Sequence, residues 1–170
     1  MKKIILVVAF FMSSLWAVNV GEVPKSITLD GKNGGVLSGG AWNSSSLADK
    51  VHVVFYVDPD EKDTNEPLAD TLKAEAFDKS KFASVAIINL AATWKPNIII
   101  EAVLKSKQEK FPDTIYVKDK NKVLVKEWDL KDDSSDILLF DKSGKLLYSY
   151  AGKLEAEEIA KVLSLIKDNL

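Results

Sequence analysis

The 170-residue chain contains no cysteine. It therefore has no disulfide, no thiolate nucleophile and no sulfur ligand for a metal, and redox chemistry through its own thiols is excluded. Histidine occurs once, as His52. That residue sits inside an apolar run, which predicts a structural role rather than that of a base or ligand. No Gly-x-Ser-x-Gly elbow accompanies Ser134 or Ser135, so a serine–histidine triad has no support in the local pattern. Charge of one sign is missing too. The 23 basic and 25 acidic residues nearly balance and are interspersed, which argues against a nucleic-acid surface and against a polybasic membrane anchor. No internal repeat or low-complexity tract interrupts the chain.

A long hydrophobic run is also absent. The longest strictly apolar stretch, Ile4 to Met12, follows Lys2 and Lys3 and precedes Ser13-Ser14-Leu15-Trp16-Ala17. A basic start, a short apolar segment and a small residue are the layout of an export signal, with cleavage expected after Ala17. Nine residues fall well short of the roughly 20 that span a bilayer, so no stable membrane insertion is expected after cleavage. The remainder, 18–170, is long enough for one domain with a core of its own. The whole chain, 46% apolar and 28% charged, has the composition of a globular protein.

The chain then alternates strands with helices. Ser26 to Leu29 reads as a short strand closed by the turn Asp30 to Gly35, with Val36-Leu37 expected to pair back. Val51 to Val57 is a buried strand. Asn65 is a candidate N-cap and Pro67 a first-turn residue for a helix carrying Leu68 and Leu72 on one face. A strand over Val85 to Leu90 and a helix from Asn97 to Lys110 follow. Thr114 to Val117 and Val123 to Trp128, separated by Lys-Asp-Lys-Asn, read as a hairpin. Ile137 to Phe140, the turn Asp141 to Gly144, a return strand from Lys145 and an amphipathic helix with Ile159, Val162 and Ile166 inward close the chain. This order predicts an α/β domain with a central mixed sheet covered on both faces.

The closing ββα and the entry Leu47-Ala48-Asp49-Lys50-Val51-His52-Val53-Val54 resemble exported thioredoxin-like proteins. The pieces Trp42-Asn43-Ser44, Lys50-Val51, Trp128-Asp129-Leu130, Ser134-Ser135, Asp141 and Gly144 resemble the YtfJ family of that class. The resemblance implies a thioredoxin-like fold, a periplasmic address and no assigned activity. It also implies what is lost. Redox-active relatives place a cysteine where a helix N-terminus lowers its pKa, and a cis-proline before the penultimate strand. Here Asp58, Pro59, Asp60 and Glu61 stand at the first position and Ser135 at the second. A cis bond before a non-proline residue costs about 2.5–4 kcal/mol, so a trans Ser134–Ser135 peptide is expected.

Any site inherited from such relatives lies between Asp58, Asp60 and Glu61 on one side and Ser134, Ser135 and Asp136 on the other, flanked by Trp42 and Asn43. The expected role is a monomeric, redox-inactive binding module for an envelope protein or peptide, with no cofactor. The competing expectation is a non-redox enzyme using the carboxylates and serines of that mouth, with or without a divalent cation. Asp58, Asp60, Asp63 and Glu66 lack the spacing of a calcium loop, and a solvated acidic loop is the simpler expectation. Trp42, Trp94 and Trp128 are read first as core residues and second as a binding surface.

Overall fold

The structure is a computed structural model that describes residues 18–170. The export signal expected over 1–17 lies outside the described residues. Twelve regular elements follow one another: β1 (Thr28–Leu29), β2 (Gly34–Val36), β3 (Trp42–Asn43), β4 (Val51–Val57), α1 (Glu66–Glu75), β5 (Phe82–Asn89), α2 (Asn97–Lys110), β6 (Thr114–Asp119), α3 (Val123–Trp128), β7 (Ser135–Phe140), β8 (Leu146–Ala151) and α4 (Ala156–Asn169). Six strands form one sheet in the order β2-β6-β5-β4-β7-β8, and β1 pairs separately with β3. The central β6-β5-β4 pairings are parallel and the outer ones antiparallel, so the sheet is mixed as expected.

Alternation along the strands divides the core in two. Val53, Phe55 and Val57 of β4 face one layer, where Leu68 and Leu72 of α1, Ile100 and Leu104 of α2, and Val162 and Ile166 of α4 cover the sheet. Val54 and Tyr56 face the other, covered by Trp42, Leu47, and Leu124 and Trp128 of α3. Both layers are apolar because parallel strands covered on two sides have no solvent face. That is why β4 and β7 read as unbroken hydrophobic runs.

Two local expectations are corrected. Val123–Trp128 is a helix, not the second arm of a hairpin. Its β-branched Val123 and Val125 favour a strand by propensity, but the Asp119 carboxylate accepts the backbone N–H groups of Asn121, Val123 and Leu124 at 2.9–3.1 Å and caps the helix start. Leu124 and Trp128, four residues apart, then bury on one side. The second correction concerns the segment after the first turn. It does not return to β1 but adds to the sheet edge beside β6, Gly34 opposite Asp119 and Val36 opposite Val117. A side chain at Gly34 would meet the Lys118 carbonyl at 1.7 Å, so glycine permits this close approach.

Candidate functional site

The two segments expected to form a mouth do meet. The Asp58 N–H donates to the Ser134 carbonyl at 2.9 Å, and β4 pairs with β7 so that Val57 lies opposite Ser135 and Tyr56 opposite Asp136. This is the carboxyl edge of β4. The Ser134–Ser135 peptide is trans, as are all those described.

Each predicted residue at that edge has a definite local task. Asp58 Oδ1 accepts the Asp60 N–H at 2.8 Å and starts a short 3₁₀ turn. Its carboxyl is buried, and burial pushes its pKa up. Asp60 accepts from Lys95 Nζ and from Thr93 Oγ1, and the lysine bond holds its pKa below the ordinary range. Glu61 Oε2 accepts the Thr64 hydroxyl at 2.5 Å. The Ser135 hydroxyl accepts Asn65 Nδ2 at 3.0 Å, and its carbonyl accepts both Asn65 Nδ2 and the Gly152 N–H. The Ser135 end of β7 is thus bonded from inside, and Ser135 is only 2% exposed.

Ser135 and Asp136 are successive strand residues and point to opposite layers, Ser135 beside Val57 and Asp136 beside Tyr56. They do not form an acid–nucleophile pair. His52 lies opposite Phe140, five residues along β4 from Val57, or about 17 Å at the rise of a strand. Its ring is buried, bonded to the Lys50 carbonyl at 3.0 Å, and burial lowers its pKa, so it is structural. The acidic loop is not a cation cage: Asp63 and Glu66 accept from Lys107, and Asp60 from Lys95. Among the described residues no group of three or more carboxylates and histidines has an arrangement able to hold a metal.

Trp42 and Asn43 serve elsewhere. Trp42 is buried in the second layer. Asn43 organises its own turn, accepting the Ser45 N–H at 2.8 Å and donating to Thr28 Oγ1 at 2.7 Å. The aromatic that reaches solvent near the mouth is Trp94, 89% exposed. Its neighbours Thr93 and Lys95 both bind Asp60, so the loop is fastened to the mouth on either side of the ring. Ile98 and Ile99, exposed at the start of α2, extend the same apolar patch.

Sequence reasoning missed three groups. Asn65, expected to cap α1 with its side chain, stands at the cap position but makes no cap bond. It ties β7 to the β8–α4 connection, donating to Gly152 and accepting the Leu154 N–H. On the second layer Tyr56 donates to Asp119, and Asn89 donates to Asp132. Asn89 Oδ1 and Asp136 Oδ1 are buried without a partner. The third is a cavity of about 120 Å³ between α1, α2 and the sheet, floored by Phe55, Ala86, Ile88 and Tyr116. A second cavity of about 400 Å³ lies toward the amino ends of the strands. No local sequence pattern marks a void that arises where small residues of distant elements face each other.

With this architecture in hand, the class is clear. The chain has a thioredoxin-like fold: it superposes on a putative protein disulfide isomerase from Bacteroides thetaiotaomicron with a TM-score of 0.66, 22% identity, and coverage of 90% of this chain and 91% of that one. A putative thioredoxin from Neisseria meningitidis gives 0.63 at 15% identity, covering 88% and 92%. Within that class the chain belongs to the family described as "Bacterial protein of unknown function (YtfJ_HI0045)", whose model matches residues 17–169. An uncharacterized protein of Haemophilus influenzae is 32% identical over 98% of this chain and 97% of its own length. The uncharacterized protein YtfJ of Escherichia coli is 26% identical over 74% and 70%.

Proposed function

We propose that the protein acts in the periplasm, after removal of residues 1–17, as a monomeric, redox-inactive binding module that takes an envelope protein or an extended peptide at the carboxyl edge of β4. The observation that carries the reading is Trp94: a large aromatic held in solvent by two bonded neighbours on Asp60. Exposed aromatic anchors in a rigid frame are what dominate binding energy at protein interfaces. The absence of cysteine removes thiol exchange chemistry, and Ser135 and Asp58 are bonded inward.

The test is capture from envelope extract on immobilised protein, with Trp94→Ala and Ile98→Ser as variants. A discrete envelope protein retained by the native chain and lost from both variants, with unchanged circular dichroism, is the expected result. Equal retention by all three rejects this surface. No helix among the described residues is long and apolar enough to cross a membrane.

A further inference from the structure

The two cavities on the first layer share walls, Phe55, Ala69, Phe111 and Thr114 bordering both. Together they form a furrow along β5 between α1 and α2. Its floor runs from Phe82, in the larger cavity, to Ile88, in the smaller, which is about 20 Å at the rise of a strand. The furrow is open because α1 presents only Ala69 to it where β5 answers with Ser84 and Ala86.

Its ends differ in charge. At the inner end, beside the mouth, each rim lysine has a carboxylate: Lys62 binds Asp63, Lys95 binds Asp60, and Lys107 binds Asp63 and Glu66. At the outer end Lys79 pairs with Asp113, but Lys50 and Lys73 donate only to the neutral carbonyls of Lys79 and Lys110, at 2.7 and 2.8 Å. Lys50 and Lys73 therefore line the trough without an ion pair, although Asp78 is near enough to Lys50 to feel its charge, whereas each rim lysine at the far end is paired. A linear ligand with an anionic head and a long apolar tail matches that polarity.

We propose that the furrow binds a long-chain fatty acid, its carboxylate held at Lys50 and Lys73 and its acyl chain laid past Phe111 and over Phe55 and Tyr116 toward Ile88. The inner end of the furrow borders the Trp94 patch through Lys95 and Ile99, but the head site at Lys50 and Lys73 lies at the opposite end, so the lysine variants test it apart from Trp94.

The probe is cis-parinaric acid, a fluorescent long-chain fatty acid, titrated into the purified protein below its micelle concentration. Saturable binding of one molecule per chain is expected, with palmitate displacing the probe and octanoate failing to. Hexadecanol, which has the tail but no charge, is expected to compete at least tenfold less well than palmitate. Lys50→Ala with Lys73→Ala should weaken the probe at least tenfold. Ser84→Leu and Ala86→Val, which fill the trough from two positions, should each reduce binding with secondary structure retained. Binding seen only above the micelle concentration overturns the proposal. So does equal competition by hexadecanol, or unchanged affinity in the double lysine variant and in whichever trough variant folds.

Discussion

Single side chains hold the carboxyl edge shut. Asn65 makes four hydrogen bonds, to the Ser135 carbonyl and hydroxyl, the Gly152 carbonyl and the Leu154 N–H. Replacement by alanine leaves the Gly152 carbonyl and the buried Leu154 N–H of the β8–α4 connection unpaired, each worth about 1–3 kcal/mol. Asn65→Ala is expected to destabilise by about 2–4 kcal/mol in urea unfolding; a loss below 0.5 kcal/mol contradicts its role as the tie. Asp136 acts in the opposite direction. Burial raises its pKa in the folded state, and one of its oxygens has no partner. A carboxyl with a raised folded pKa stabilises the fold while protonated. That contribution is complete below the ordinary aspartate pKa and lost as pH rises through the folded value. Asp136→Asn is therefore expected to raise the melting temperature at pH 7, with the advantage shrinking toward pH 4. An advantage independent of pH would contradict the assignment. Asp63 behaves inversely: bonds from Lys107 and Lys62 hold it at about 2, so its contribution is present above the ordinary range and fades as pH falls toward that value. Its exposed setting keeps the effect small.

At the level of elements, α1 and α2 frame the furrow, and ion pairs from Glu66 to Lys107 and Lys110 bridge them. The apolar floor between them, at Ala86, lies under a cavity of about 120 Å³ that continues into the furrow. Ala86→Val adds two methyl-sized groups at that floor and is expected to stabilise the protein by about 1.5 kcal/mol in chemical denaturation, at about 0.8 kcal/mol per buried carbon. Destabilisation of that size would mean the floor is already filled. Elements also show where the sequence was legible. The buried runs of β4 and β7 and the amphipathic α4 were readable because their spacing directly reflects which face meets the core. α3 was not, since the cap that makes it a helix is a side chain at the end of the preceding strand. Asp119→Ala removes the acceptor for the N–H groups of Val123 and Leu124 in the helix, of Asn121 just before it, and for Tyr56, and a loss of about 3 kcal/mol or more in the same assay is expected. Nor was β2 legible, because its partner β6 lies some eighty residues further on. The meeting of Asp58 with Ser134 was legible only through likeness to thioredoxin-like relatives, while the burial of Trp42 and the exposure of Trp94 depend on tertiary placement alone.

For the whole molecule, the fold is thioredoxin-like, and the carboxyl edge of β4 ends in a capped turn and a strand end bonded from inside. What remains outward at that edge is Trp94 with Ile98 and Ile99. Export by the N-terminal segment predicts a mature chain beginning at Val18, readable by mass spectrometry of the periplasmic fraction; an intact Met1 start there would reject cleavage at Ala17. The most direct measurement of the central claim is site-specific photo-crosslinking in intact cells, with a benzoylphenylalanine placed at Trp94 and, separately, at Val23, which is also exposed but lies beside the Gly144 turn. A discrete adduct from position 94 and none from position 23 is predicted. Adducts from position 23 alone, or the same products from both, would contradict a binding site at the carboxyl edge.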